Sequence, residues 1–143
     1  LRTDPRWFTP PTKPLDAYAI RQAVFVEEQG FHDEFDDQDA SCDHLVLYEK
    51  GRPIACARIY PEGDGVWHLG RLAVVRDCRG RDLGRRALTE AEERVKSLGG
   101  TAVRLSAQAH ARGFYEKQGY RPTSGEYLDQ HCPHLDMEKP LTD

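Results

Sequence analysis

Two stretches of the chain hold residue types that could do chemistry. In the first, Arg76-Asp77-Cys78-Arg79-Gly80-Arg81-Asp82-Leu83-Gly84-Arg85-Arg86 joins an apolar, β-branched run to an amphipathic one. If a strand ends before this loop and a helix begins after it, the first N–H groups of that helix lack internal partners. They also sit at the positive end of its dipole. Arg79, Arg81 and Arg85 add charge, and Gly80 and Gly84 let backbone approach closely, so the loop suits a phosphate group. It is neither a GxxxxGK[ST] loop nor a GxGxxG turn, and a basic surface turn is the plain alternative. In the second stretch, Ser106 to Tyr120, small residues give way to Phe114-Tyr115 and a glycine stop at Gly119. Tyr115, a phenol with a reference pKa near ~10, is a candidate proton donor. Its alternative is the commoner fate of a helical tyrosine, a core aromatic with its hydroxyl satisfied.

Other reactive side chains are less organised. His131-Cys132-Pro133-His134 is the densest metal-like cluster, but it lacks the second ligand pair of a structural zinc site, so no metal is expected. Cys42, Cys56, Cys78 and Cys132 are widely spaced without a CxxC, which disfavours a disulfide framework. His32 to Asp43 is an acidic segment with Asp33, Glu34, Asp36, Asp37, Asp39 and Asp43, without the glycine and glutamate positions of a calcium loop. It reads as a solvated loop or, through charge steering and with Glu126 and Asp129, as a patch that attracts a cationic amine.

The elements that must position these residues follow from periodicity. Residues 1–14 are a proline-rich lead-in, with a short strand at Trp7-Phe8. Leu15, Tyr18, Ala19, Gln22, Phe25 and Val26 form a stripe at helical spacing that Gly30 ends. His44–Tyr48 and Ile54–Ile59 read as strands around a Gly/Pro turn, and Pro61 to Gly65 as a second turn. Val66 to Val75 is a third strand. A helix from about Gly84 to Leu98 buries Leu83, Ala87, Leu88, Ala91, Val95 and Leu98, with a Glu92–Lys96 pair on its wet face, and Gly99-Gly100 ends it. Thr101–Ser106 is a strand, Ala109–Gln118 a short helix, and Tyr120–Ser124, Glu126–Leu128 and Leu135–Glu138 are final strands. This order implies a mixed α/β fold.

Composition sets the outer bounds. The chain has 143 residues, 20 Lys+Arg and 24 Asp+Glu, so its formal charge is −4. That length suits a single domain over 1–143, and the mild acidity disfavours nucleic-acid binding. No apolar run reaches the ~18 residues of a membrane span, and residues 1–14 contain no apolar signal core. A cytoplasmic location is therefore expected.

Taken together, these segments resemble the GNAT superfamily of acyl-CoA-dependent N-acetyltransferases, and from Leu15 to Pro140 its ElaA-like branch. The resemblance is carried by Ile20 to Gln29, the acidic segment before His44, Ala55-Cys56-Ala57-Arg58, Gly70-Arg71, Leu105 to His110, Phe114 to Tyr120 and Pro133 to Met137. It implies an α/β (α+β) fold: a mostly antiparallel sheet of about six to seven strands, about four flanking helices, and strands splayed near Leu72, Ala73 and Val74 to form an acyl-CoA cleft. It implies acetyl-CoA as cosubstrate, with the pantetheine arm on Leu72 to Val74 and Gln108. Arg79, Gly80, Arg81, Asp82, Leu83, Gly84 and Arg85 would lie at the pyrophosphate, and Arg112, Phe114 and Lys117 nearby. The family's loop has the form Gln/Arg-x-x-Gly-x-Gly/Ala; Arg79 and Gly84 match its ends, while Asp82 replaces its inner glycine. Gln108 stands where the family often has asparagine. The implied reaction is attack of a small-molecule or peptide amine on the thioester, with a backbone N–H near Val74 at the oxyanion and Tyr115 protonating the departing thiolate. Glu28, His110 and His134 are the candidate bases. A non-catalytic CoA-binding module is the alternative on the same fold, and a homodimer is left open.

Overall fold

The computed structural model describes residues 2–142. Its strands are β1 (Asp4–Phe8), β2 (Asp43–Glu49), β3 (Arg52–Gly63), β4 (Val66–Val74), β5 (Ala102–Gln108), β6 (Arg121–Pro122), β7 (Tyr127–Asp129) and β8 (Cys132–Pro140). They form one sheet in the order β1-β2-β3-β4-β5-β8-β6, with β7 also on β8. Every pairing is antiparallel except β4 with β5. The α-helices are α1 (Leu15–Arg21), α2 (Leu83–Ser97) and α3 (Arg112–Lys117). The described residues thus hold one strand more than the six to seven expected and three α-helices rather than four. None of these helices is long and apolar enough to cross a membrane.

Alternation along β2 and β3 sends side chains to both faces. Leu45, Leu47, Ala55 and Ala57 pack with Leu83 and Ala87 of α2. Val46, Cys56 and Ala73 pack with Ala17, Ile20 and Val24 on the opposite face. The α2 stripe is buried as periodicity predicts, except that Leu98 is exposed. Glu92 and Lys96 do not pair: Glu92 takes Lys139 at 2.9 Å and the Tyr120 hydroxyl at 2.8 Å, while Lys96 donates to the Thr142 carbonyl.

The turn expected over Pro61 to Gly65 is shorter than that. β3 continues to Gly63, and Asp64 and Gly65 alone turn the chain, at φ of 54° and 79°. Two successive left-handed residues match the twist of a hairpin. Pro61 is tolerated inside the strand because β2 stops pairing at Ile59, so the missing N–H falls on an open edge.

The first helix corrects the expected stripe. Leu15 is exposed, and the buried line is Ala17, Ile20, Arg21 and Val24. After Arg21 the helix widens into a π-helical segment, Gln22–Glu28, in which the Gln29 N–H bonds to the Val24 carbonyl five residues back. The stripe was misread because it contains an arginine, and Arg21 is only 1% exposed.

Arg21 is buried because the acidic segment folds over it. Its Nη1 and Nη2 donate to Asp39 at 2.8 and 3.0 Å, and its Nε to Glu34 at 3.1 Å. Arg58 donates from Nη1 to Asp39 and to Asp36, at 2.8 and 2.7 Å, and Arg71 pairs with Glu34 at 2.7 Å. Three arginines are therefore matched with three carboxylates, and Glu34 and Asp39 are buried. The segment is neither simply solvated nor a free acidic patch. Burial works against the Asp39 carboxylate, but Arg21 and Arg58 hold its pKa down at about 2. Burial pushes Glu34 the other way, upward, against its arginines.

Replacing Asp39 strands two buried guanidiniums, so Asp39→Ala should cost about 3–5 kcal/mol in urea unfolding. The depressed Asp39 pKa also sets a sign. Its contribution is complete above the unfolded value of 3.8 and is lost as pH falls toward about 2. Wild-type stability should drop across that window by about 2 kcal/mol; Glu34, with its raised pKa, returns stability only at higher pH, as it protonates above its ordinary value of 4.5. Asp39→Asn should flatten the drop.

Candidate active site

Strands β4 and β5 pair in register only from Val66/Ala102 to Leu69/Leu105. Each runs on, to Val74 and Gln108, held by its outer neighbour: β4 by β3 as far as Val74, β5 by β8 as far as Gln108. The inner edges therefore part beyond Leu69 and Leu105. A cavity of about 610 Å³ occupies the gap, a size typical of small-molecule sites. Because the Val75 N–H bonds to the Ile54 carbonyl, strand alternation turns the N–H and C=O of Val74 toward this gap.

On the α2 side, the cavity wall is made by Leu72 and Val74 of β4, with Ala73 facing the other side of the sheet, and by the loop residues Arg79, Gly80, Asp82, Leu83, Gly84 and Arg85. The helix N-terminus here has no side-chain cap, so the first-turn N–H groups of α2 are open to an anion. Gly80 lies at φ +80° with open space around its Cα. Gly84 packs beneath Phe114, whose ring a Cβ there would meet at 3.4 Å, an ordinary contact. Asp82, where the family pattern has glycine, is left-handed at φ +66°. Its carboxylate turns from the helix end to pair with Arg85.

Arg79 reaches both banks of this groove. Its Nε donates to the Val74 carbonyl at 3.1 Å and its Nη2 to Glu28 at 2.8 Å. Arg79 lowers the Glu28 pKa, so this carboxylate is a tied ion-pair partner rather than a free base, and it does not line the cavity. Three further expected residues stand outside the wall. Arg81 pairs with Glu49, Arg112 pairs with Glu116 at 3.3 Å, and Lys117 is exposed on α3.

The β5 side brings Gln108, His110, Phe114 and Tyr115 to the cavity. Gln108 donates to Gln29 at 2.9 Å, linking the parted strand to the end of the first helix. Tyr115 packs edge-on against Phe114 and Tyr120, with centroids at 5.0 and 5.8 Å, and burial raises its pKa so that it remains a phenol. His110 is exposed at the rim. His134, on β8, is 6% exposed. Its Nδ1 lies 2.9 Å from the Cys132 carbonyl, an acceptor, so in the neutral ring Nδ1 carries the proton and Nε2 the lone pair.

On the α1 side the wall holds Glu34 and Asp129, which the sequence offers as acids for a cationic amine, and Val24, Phe25, Gln29, Phe31, Arg71 and Ser106, which sequence reasoning missed. The signal for several was present, since Gln29 and Arg71 fall inside segments already singled out. Among the described residues, no group of three His, Cys, Asp or Glu side chains is placed to hold a metal ion.

Comparison with known proteins agrees with this geometry. A family model described as an acetyltransferase (GNAT) domain matches residues 16–141. A Bacillus subtilis protein named as a candidate acetyltransferase is 39% identical over 128 residues, 86% of each chain. The crystal structure of a candidate N-acetyltransferase from Lactobacillus plantarum superposes with a TM-score of 0.91 at 37% identity, covering 99% of this chain and 100% of that one. Escherichia coli ElaA superposes with a TM-score of 0.87 at 24% identity, over 96% and 99% of the two chains, a likeness of fold.

Asp82 is the one acid in this anion-facing loop's cavity wall, and it occupies Arg85. Asp82→Gly should relieve the left-handed residue and free Arg85. Inorganic pyrophosphate should then bind about two- to fivefold tighter by calorimetry, the scale of an exposed ion pair, with thermal stability little changed. Equal or weaker binding would show that Asp82 does not oppose the anion.

Proposed function

The chain belongs to the GNAT acetyltransferase family, and we propose that it is an acetyl-CoA-dependent N-acetyltransferase acting on a primary amine by direct attack in a ternary complex. The observation that carries this reading is the gap between β4 and β5, with a proton donor and a lone-pair imidazole both reaching it from the β5 side, on opposite faces of the sheet. The residues present fit acetyl-CoA. An uncapped helix N-terminus with Arg79 and Arg85 suits the pyrophosphate, and the inward peptide groups at Val74 suit an amide-bearing arm. When bound, acetyl-CoA supplies an acyl carbonyl activated as a thioester.

The chain's own residues then have separable tasks. Arg79 must leave Glu28 and the Val74 carbonyl to serve a phosphate, which exchanges one exposed charge-assisted pair for another. The Val74 N–H, directed into the gap, is the oxyanion donor. His134 is preferred to His110 and Glu28 as the base. Its Nδ1 is anchored, its Nε2 is open, and it lies in the cavity wall, whereas Glu28 is tied to Arg79 and His110 sits at the rim. Tyr115, kept protonated by burial, is the acid for the departing thiolate.

Acetyl-CoA at ~100 Kd should stabilise the fold by ~2.7 kcal/mol in thermal unfolding; no shift would overturn the cosubstrate assignment. Tyr115→Phe and His134→Gln should each lower kcat by about 100-fold in a thiol-release assay, with acetyl-CoA affinity unchanged, while His110→Ala should be nearly silent. Full activity in either of the first two would remove that residue from the mechanism. Stabilisation by CoA without thiol release for any amine would favour the binding-module alternative.

A further inference from the structure

We propose that the acceptor is an amine that also bears a carboxylate, in its simplest form a free amino acid, and that Arg71 is the residue that reads the carboxylate. This rests on the acetyl-transfer reading above. With the phosphate groove on the α2 side, the acceptor must come from the other face of the sheet, where Phe25, Phe31, Glu34, Arg71, Asp129 and His134 form the wall.

The charges available on that face are few once the ion pairs are assigned. Glu34 is held by Arg21 and Arg71, at 3.1 and 2.7 Å, so it offers little to a cationic amine. Asp36 and Asp39 are engaged by Arg58. Arg71 is engaged only in part. Its Nε bonds to Glu34, and its Nη2 to the Glu34 carbonyl at 3.0 Å and to Asp36 at 3.3 Å. Its Nη1 has no protein acceptor among the described residues, and the side chain is 27% exposed where it lines the cavity. A guanidinium has five N–H donors in a fixed plane, and the two on Nη1 remain for a ligand. A held, partly desolvated guanidinium with free donors is a carboxylate site.

The backbone is shaped to present it. Arg71 lies at φ +55°, uncommon for so large a side chain, at a break in register where Arg58 faces Gly70 and Cys56 faces Ala73. Such a bulge re-aims a side chain. At the rim, Asp129 is exposed and its carboxylate has no protein partner among the described residues. One free anion and one half-free cation on the same face complement a zwitterion. The Phe25 and Phe31 rings suit an apolar side chain beside it.

Matched ligands test this. L-Phenylalanine against phenethylamine, and L-leucine against isopentylamine, would be titrated by calorimetry into the CoA-loaded protein and then compared as acceptors by thiol release. The amino acid of each pair should bind about tenfold tighter or more, a single charge-assisted contact. Arg71→Lys keeps a cation for Glu34 and Asp36 but lacks the free Nη1, and it should bring the ratio close to one. Equal binding of the simple amines to wild type, or an unchanged ratio in Arg71→Lys, would overturn the proposal. Carboxylate-dependent binding without thiol release would overturn the transfer reading and leave the Arg71 site standing. Thiol release with simple amines alone would do the reverse.

Discussion

A parallel pair of strands that separates partway along its length governs the rest of this structure. β4 and β5 share four residue pairs, then follow β3 and β8 outward. Buried backbone groups almost always find partners, so two facing strand edges without each other are a demand on the surroundings. The protein answers only part of it: the Val74 carbonyl takes the Arg79 guanidinium. What is left is a slot that suits an extended, amide-bearing arm. The helix dipole stands at one end and the His134 imidazole lies across the sheet. Each catalytic assignment follows from which side of the slot a residue occupies.

The slot keeps its shape because its α1 side is locked by charge as well as by apolar packing. Arg21, Arg58 and Arg71 with Glu34, Asp36 and Asp39 form a neutral cluster, most of it buried. Such a cluster gives little net stability compared with well-packed hydrophobes, but breaking it is expensive. Its value here is geometric. It pins the segment after the π-helical turn against β3 and the bulge of β4, and it fixes the guanidinium that reaches the acceptor face. The widened turn belongs to the same arrangement, since it brings Val24 and Phe25 into the cavity wall.

The parts of the fold that follow one physical rule were legible in the sequence. α2 obeys a 3.6-residue stripe, β5 alternates, and Gly99-Gly100 ends the helix with Gly99 at φ +88°. The parts governed by pairing across long sequence separation were not. Arg21 falls outside the expected stripe because its partners, Glu34 and Asp39, lie 13 and 18 residues away. The acidic segment looked like free negative charge for the same reason. Glu28 looked like an available base until Arg79, 51 residues on, proved to hold it. At the site, the phosphate loop was visible as composition and spacing, and most of its residues do line the cavity. Arg81, Arg112 and Lys117 do not, because neither helix phase nor ion pairing can be read from charge alone.

Arg79 and Arg85, the two arginines that line the phosphate groove, each hold a carboxylate in the free protein: Arg79 with Glu28, Arg85 with Asp82. Exposed pairs of this kind are worth at most about 1 kcal/mol. A phosphate oxygen offers another charge-assisted partner of the same kind, so the exchange costs little. The pairs also keep the guanidiniums extended across the groove, one of them on the Val74 carbonyl, so the slot is bridged rather than open to collapse. An anion that draws Arg79 away frees the Val74 carbonyl and Glu28 in the same motion, coupling the phosphate end of the groove to its middle. On this account the acids beside the loop are part of its preorganisation, and Asp82, the one departure from the family's glycine pattern, is a variation in how tightly the arginines are held rather than a loss of the site.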